Sequence, residues 1–98
     1  MPETPSLRQL RYFLLLAETG QYGRAAARAG ISQPSLSLQI AELERRLGLH
    51  LVERRRRGVV LTPEGREVRA RAARIAEEVE ALQVYLDNFG IWNPEPFV

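Results

Sequence analysis

Four consecutive arginines, Arg54 to Arg57, form the densest group of charge in this 98-residue chain, and Gly58 follows them directly. Short apolar, β-prone runs lie on both sides, which predicts a small hairpin with the arginines and a positive-φ glycine at its tip. A guanidinium donates two parallel hydrogen bonds to a phosphate and fits a narrow minor groove. Residues 45–57 hold six arginines against the single acid Glu53. This composition favours phosphate neutralisation, with a plain solvated turn as the alternative.

A second group of side chains with binding chemistry begins at Ser32, a good helix N-cap, and continues through Pro34, which is tolerated in a first turn. Apolar residues then recur at helical spacing and define a buried stripe: Leu36, Ile40, Leu43 and Leu47. The opposite face carries Pro34, Leu38, Ala41 and Arg45, with Ser35, Ser37 and Glu42 on its flanks. The N-terminal half of that face is small, uncharged and able to form hydrogen bonds. Such a face can approach nucleic-acid bases closely.

Another predicted helix must position this face, because a turn of about three residues joins the two. The first helix of the pair carries Tyr22 and three alanines at helical spacing and stops at Gly30, a residue suited to a left-handed cap. Residues 22–47 therefore have the signature of a helix-turn-helix, whose second helix can enter a DNA major groove. The alternative is a similar helix corner inside an all-α core, since such corners recur in unrelated folds.

The remaining elements are two further helices. Ser6 and Gln9 predict a capping box at the start of the first, which should end at Gly20. Pro63 in a first helical turn after Thr62 predicts a long helix, with Gly90 as its terminator. Apolar residues recur along it at alternating intervals of four and three, a series named here the seam: Val68, Ala72, Ile75, Val79, Leu82, Leu86 and Phe89. A small head cannot cover so long a stripe, which predicts dimerisation through the seam; folding back along the first helix is the alternative.

Composition narrows the function classes. All fourteen arginines lie in residues 1–74 with seven acids, whereas residues 75–98 carry five acids and no basic residue, which indicates a polyanion-binding end. There is no cysteine, and the one histidine, His50, has no partnered nucleophile or metal-ligand spacing, so we expect neither an enzyme nor a metal or cofactor site. No segment predicts export or a membrane span, and we expect a cytoplasmic protein. RNA binding would need exposed aromatic side chains that stack on bases, and the sequence does not predict them. Binding to an anionic membrane would need a basic amphipathic face, which is also missing.

The chain resembles the LysR-type transcriptional regulators over residues 5–90. The matching segments are Leu10-Arg11-Tyr12-Phe13, Ala17-Glu18-Thr19-Gly20, Arg24-Ala25-Ala26, Ser32-Gln33-Pro34-Ser35-Leu36-Ser37, Gln39-Ile40, Leu43-Glu44, Leu47-Gly48, Glu53-Arg54, Arg57-Gly58 and Leu61-Thr62-Pro63-Glu64-Gly65. The resemblance implies a mainly α fold, a winged helix-turn-helix of three helices and a two-stranded wing over residues 5–62, followed by a dimerisation helix over 63–90. Residues 91–98 would be a tail or the start of a hinge. It also implies a homodimer on an interrupted DNA palindrome, and a small-molecule effector only where a further C-terminal domain exists.

Expected DNA-binding residues combine these lines of reasoning: Ser32, Gln33, Pro34, Ser35, Ser37, Leu38, Arg54, Arg55, Arg56 and Arg57. The resemblance assigns Gln33, Pro34, Ser35 and Ser37 to groove-facing or phosphate-contacting positions, and Arg57 to the wing arginine that follows the minor groove. Three features depart from the family. Leu38 replaces a base-reading Arg or His and could only touch a thymine methyl. Gln21 and Gly23 replace a Ser and a Thr, which weakens a helix cap. Arg55 and Arg56 add charge to the wing.

Overall fold

The computed structural model describes residues 2–92, with side chains described to residue 89. Six elements follow in chain order: α1 (Leu7–Thr19), α2 (Tyr22–Ala29), α3 (Gln33–Leu47), β1 (Val52–Arg55), β2 (Gly58–Leu61) and α4 (Pro63–Trp92). The two strands pair antiparallel, with Val52 opposite Leu61 and Arg55 opposite Gly58. They form a hairpin, named here the wing. This arrangement confirms the predicted mainly α, winged helix-turn-helix fold.

Capping side chains and left-handed glycines, which the sequence predicts, set the ends of the helices. Ser6 Oγ accepts a hydrogen bond from the Gln9 backbone N–H, and Gln9 Oε1 accepts one from the Ser6 backbone N–H, both at 3.1 Å, so the predicted capping box is present. Left-handed glycines follow α1, α2 and α3 at the predicted positions. The weak cap predicted for α2 is also confirmed, because the Gln21 side chain accepts no capping hydrogen bond.

The core lies where α1, α2 and α3 meet. Its largest fully buried side chains are Phe13, Leu16, Leu36, Ile40, Leu43 and Leu51. Fully burying an aliphatic or phenylalanine side chain contributes roughly 1.5–3 kcal/mol, so this cluster dominates the stability of the head, meaning α1 to α3 with the wing. The small side chains of Ala25 and Ala26 are also buried, which lets α2 approach its neighbours closely.

Helix α4 is attached to the head by its first three turns. Thr62 Oγ1 donates to the His50 carbonyl at 2.6 Å and accepts from the Gly65 backbone N–H at 2.9 Å. A methyl group at Gly65 would collide with the Leu51 carbonyl, so glycine allows the helix to approach this backbone. Two turns further, Ala72 is 2% exposed and belongs to the core. The start of α4 is therefore packed firmly against the head.

The predicted end of α4 is wrong, because the helix continues through Gly90 to Trp92. One glycine inside a helix costs only about 1 kcal/mol relative to alanine, so a glycine ends a helix only where the following chain favours a reversal. The predicted tail therefore does not begin at Ile91. Its remaining residues, 93–98, lie outside the described part of the chain.

Candidate nucleic-acid interface

The N-terminal half of α3 presents the uncharged face expected from the sequence. Leu38 is 72% exposed, Gln33 and Pro34 are exposed, and Ser37 is half-buried. This face is uncovered because the stripe on the other side of α3 faces the core and holds the helix in place. A leucine this exposed gains little free energy from packing within the head. It is instead free to make an apolar contact with another molecule.

Two serine hydroxyls organise the first turn of α3. Ser32 Oγ accepts from the Ser35 backbone N–H at 3.2 Å, which caps the helix as predicted. The same hydroxyl donates to Ser35 Oγ at 2.8 Å. Because each hydroxyl still has a lone pair, and the Ser35 hydroxyl also has its hydrogen, this pair can accept or donate a further hydrogen bond to a ligand.

The four wing arginines occupy two different environments. The sequence placed all of them at the hairpin tip, but the register shows that Arg54 and Arg55 belong to strand β1. The two-residue turn consists of Arg56 and Arg57, and Gly58 follows with φ at +121°. The tip is therefore tighter than predicted. Side chains alternate along a strand, so Arg54 and Arg55 point to opposite faces of the wing.

These environments decide which positive charges are available to a ligand. Arg55 Nη2 lies 3.0 Å from Glu53 Oε2, so an exposed carboxylate partly compensates its charge. The Arg54 guanidinium lies over the Tyr22 ring, with Cζ 4.5 Å from the ring centroid. Arg56 and Arg57 form no ion pair with another residue in the described part of the chain. Arg54 has no such ion pair in the described residues either, but the Tyr22 ring covers one face of its guanidinium.

The wing and the start of α3 enclose one surface depression. Residues from both, among them Gln33, Arg54 and Arg55, line a shallow cavity of about 220 Å³. The Val59 N–H donates to the Gly20 carbonyl at 2.8 Å, which attaches the wing to the turn before α2. The structure therefore brings predicted residues of the helix-turn-helix and of the wing to the same place.

Tyr22 also lines the cavity between the wing and α3. It is half-buried, and it packs against the hydrophobic core from the first position of α2. Burial raises the pKa of its hydroxyl, and the neighbouring Arg54 partly opposes that rise. The phenol therefore stays neutral at physiological pH, and Tyr22 presents an uncharged ring to the guanidinium.

A charge network that local sequence patterns revealed only in part lies at the other end of α3. Arg45 Nη1 lies 2.9 Å from Glu3 Oε2, and Arg45 Nη2 lies 2.7 Å from Glu42 Oε2, which Arg46 also contacts. The hydrogen bonds from Arg45 and Arg46 lower the pKa of Glu42 to about 2, and Arg45 also lowers the pKa of Glu3. Counting arginines over residues 45–57 therefore overstated the charge available for phosphates. The helical spacing from Glu42 was visible in the sequence, but the contact with Glu3 was not.

The seam divides into a buried part and an exposed part. Val68 and Ala72 pack within the head, which leaves Ala72 almost no surface for a second copy. Further along, Val79 is partly buried, and the other four seam residues are each about half exposed: Ile75, Leu82, Leu86 and Phe89. Tyr85 extends this surface, since its ring centroid lies 5.2 Å from that of Phe89. The structure thus leaves an apolar stripe open along the outer half of α4.

Other kinds of site find little support in the described residues. His50 is exposed, and its backbone carbonyl accepts a hydrogen bond from the Thr62 hydroxyl. The described part of the chain contains no group of three or more histidine, aspartate or glutamate side chains placed to hold a metal ion. Among the described helices, none combines the length and apolar character needed to cross a membrane.

Comparison with known proteins places these features in context. Residues 7–66 match the family model of the bacterial regulatory helix-turn-helix proteins, lysR family. The SDS degradation transcriptional activation protein of Pseudomonas sp. is 46% identical over 87 residues, which cover 86% of this chain and 28% of that protein. A mutant of Corynebacterium glutamicum OxyR superposes with a TM-score of 0.84 at 36% identity, covering 90% of this chain and 28% of that one. This chain thus spans little more than a quarter of either protein's length.

A shorter solved structure matches almost end to end. The BenM DNA-binding domain, crystallised in complex with catB site 1 DNA, superposes with a TM-score of 0.82 at 36% identity. The match covers 87% of this chain and 94% of that one. The similarity therefore includes α4 as well as the head, because residues 5–62 alone are too few to supply it.

Proposed function

The chain belongs to the LysR family of bacterial regulatory helix-turn-helix proteins, and we propose that it recognises specific double-stranded DNA sequences as a homodimer to regulate transcription. The observation that carries this proposal is the junction between α3 and the wing. There an exposed, uncharged helix start meets a strongly cationic hairpin, and Gln33 and Arg54 line the same cavity. Few ligands other than a duplex offer base edges beside a row of phosphates.

Helix α3 supplies the base contacts. Gln33, Ser35 and Ser37 carry the hydrogen-bonding groups, and a glutamine side chain can bond both N6 and N7 of adenine. Leu38 can touch only an apolar group, which in the major groove is the thymine methyl. The exposed fraction of Leu38 supports this role, because 72% of the residue is open to such a contact. We expect an operator rich in A·T pairs at the positions facing α3.

The wing supplies affinity that depends little on sequence. Arg56 and Arg57 carry the uncompensated charge of the turn, and each phosphate that they neutralise releases condensed counterions from the DNA. A narrow A·T-rich minor groove has an enhanced negative potential that attracts an inserted guanidinium. Arg57 is the residue that we assign to the minor groove, and Arg56 to the phosphate backbone.

The exposed stripe on α4 supports self-association. Four large apolar side chains, Ile75, Leu82, Leu86 and Phe89, lie about half exposed along one side of a long helix. A second copy presents the same stripe, so pairing would remove both from water. A symmetric dimer holds two heads on one duplex, and this symmetry implies a palindromic operator with half-sites separated by a whole number of helical turns. Val68 and Ala72 are not included, since they pack within their own head.

Selection of bound duplexes from a random DNA pool tests the proposal most directly. We expect a recovered interrupted palindrome, which gives the half-site, its spacing and the symmetry together. Fluorescence anisotropy titrations at two salt concentrations, with the selected duplex, a scrambled duplex, single-stranded RNA and anionic vesicles, then compare the ligand classes. The proposal fails if no duplex is enriched, or if RNA or vesicles bind as tightly as the selected duplex.

Three variants, two in α3 and one in the wing, test whether α3 reads the DNA sequence. Leu38→Ala and Ser37→Ala should each change the recovered sequence, because both alter side chains that face bases. Arg56→Ala should weaken the selected and scrambled duplexes by similar factors, because phosphate contacts carry little sequence information. A preference profile that neither α3 variant changes would exclude reading by this helix.

A further inference from the structure

Arg54 differs from the other wing arginines in what its side chain contacts. Its guanidinium lies over the Tyr22 ring at 4.5 Å, so one broad face of the cation is occupied within the head. Tyr22 is the first residue of α2 and packs against the core, so it is a firm support. Arg54 itself lies in the middle of strand β1. The contact therefore connects the wing to the helix-turn-helix.

The wing has a second attachment on its other strand. Val59 of β2 is the register partner of Arg54, and its N–H donates to the Gly20 carbonyl at 2.8 Å. Gly58 also lies directly against that carbonyl, where a Cβ would not fit. The base of the wing also packs against the core through Val52, Val59 and Leu61. The stacking of Arg54 adds a side-chain attachment on β1, close to the turn.

We propose that Arg54 is a positioning residue: by stacking on Tyr22, it fixes the angle of the wing so that Arg56 reaches the DNA backbone and Arg57 reaches the minor groove. This inference rests on the proposed function. It separates two roles within one run of four arginines. Arg56 and Arg57 contact DNA, whereas Arg54 contributes to binding by positioning the turn that carries them.

Tyr22 provides the decisive test, because it carries no charge that could attract a phosphate. If Arg54 bound DNA directly, replacing Tyr22 would leave that contact in place. If Arg54 acts by stacking, Tyr22→Leu should weaken duplex binding by about 3- to 10-fold, the range that follows from cation–π contacts of this kind. Arg54→Ala should have a similar effect. The double variant should bind no more weakly than either single variant, since both remove one interaction.

Two variants serve as controls within the same titration. Tyr22→Phe keeps the aromatic face and should bind as the unaltered chain does; a loss equal to that of Tyr22→Leu would overturn the inference by assigning the effect to the hydroxyl. Arg56→Ala removes a turn charge and should lower the salt dependence of binding. The inference is also overturned if Arg54→Ala weakens binding while Tyr22→Leu does not, or if their two effects multiply.

Measurements on the full chain without DNA distinguish a failure of this inference from a failure of the proposed function. In NMR spectra, the Arg54 side-chain protons should be shifted upfield by the ring in the unaltered chain and in Tyr22→Phe, but not in Tyr22→Leu. Hydrogen exchange of the wing amides should quicken in Tyr22→Leu and Arg54→Ala, with the amides of α1 and α3 unchanged. Absence of the ring shift, or unchanged wing exchange, refutes the positioning role even if DNA binds. Failure of the unaltered chain to bind any duplex refutes the proposed function instead.

Discussion

Replacing Leu82 by glutamate should weaken self-association through α4 on the order of 100-fold. Leu82 is 55% exposed in the single chain, so a partner would bury roughly half of the residue. Full burial of a leucine contributes roughly 1.5–3 kcal/mol, which makes the half about 1 kcal/mol per copy and about 2 kcal/mol in a symmetric pair. Partly desolvating the two introduced carboxylates, one in each copy, adds about 1 kcal/mol or more in total. The total of about 3 kcal/mol corresponds to a factor of about 100 in the dissociation constant.

Val84 offers a closely matched control. It is 56% exposed, and it lies two residues beyond Leu82, which places it about 200° away around the helix. Val84→Glu therefore introduces the same charge at nearly the same depth, but on the side opposite the stripe. Sedimentation velocity over a range of protein concentrations should show a dimer for Val84→Glu at concentrations where Leu82→Glu is a monomer.

The outcome also bears on DNA binding. Two linked heads add their contacts on one duplex, whereas a separated head retains only its own. Replacing Ile75 and Leu82 together by glutamate should abolish tight operator binding and leave weak, salt-sensitive binding. If Val84→Glu disrupts the dimer as strongly as Leu82→Glu, or if the Ile75/Leu82 double variant stays dimeric, the stripe is not the dimer contact.

Three further comparisons, which use five substitutions, test the remaining predictions. Arg56→Ala should weaken the binding of all duplexes by a similar factor and reduce the steepness of log affinity against log salt concentration by about 0.9. Leu38→Ala should instead change the sequence preference. Titrations of several duplexes at four salt concentrations compare the two variants. Because the pKa of Glu42 is lowered from 4.5 to about 2 in the folded chain, its contribution to stability is present above about pH 4.5 and lost as the pH falls toward 2. Melting temperatures followed by circular dichroism should therefore decline over that window, and less steeply for Glu42→Gln; equal declines would contradict the assignment. Gly65→Ala should destabilise the fold by about 1–3 kcal/mol, because the added methyl meets a backbone carbonyl. At Gly23 the same methyl has ordinary room, so Gly23→Ala should instead stabilise by about 0.5–1 kcal/mol in urea unfolding, and the reverse order would refute the packing argument.

Features controlled by short-range chemistry were the ones the sequence predicted well. Ser6 and Ser32 cap helices with hydroxyls that reach backbone N–H groups three residues away, and Gly30 ends α2 by taking a left-handed conformation. Each of these signals lies within a few residues of its effect. The helix-turn-helix and the wing follow from such signals together with the period of the apolar residues.

Features that depend on distant parts of the chain were not predicted. Arg45 contacts Glu3, which is 42 residues earlier, so no local pattern shows that its charge is compensated. The alternation of side chains along β1 separates Arg54 from Arg55, but only the strand register shows that both precede the turn. At Gly90 a local signal was wrong: glycine is a common residue at helix ends, but α4 continues to Trp92. The residue type alone does not decide where a helix ends.

Because α4 is attached to the head, pairing through α4 in the proposed dimer would set the positions of the two heads. Ala72 is sealed in the head core, and Ile75, less than one turn later, is 44% exposed, so the transition from head to stripe occurs within a continuous helix. The Thr62 hydroxyl and the close approach of Gly65 to Leu51 fix the first turn of that helix against the head. No flexible linker separates the dimer contact from α3. A change in how two copies pair along the stripe would therefore change the distance between the two recognition helices, and with it the half-site spacing that the dimer accepts.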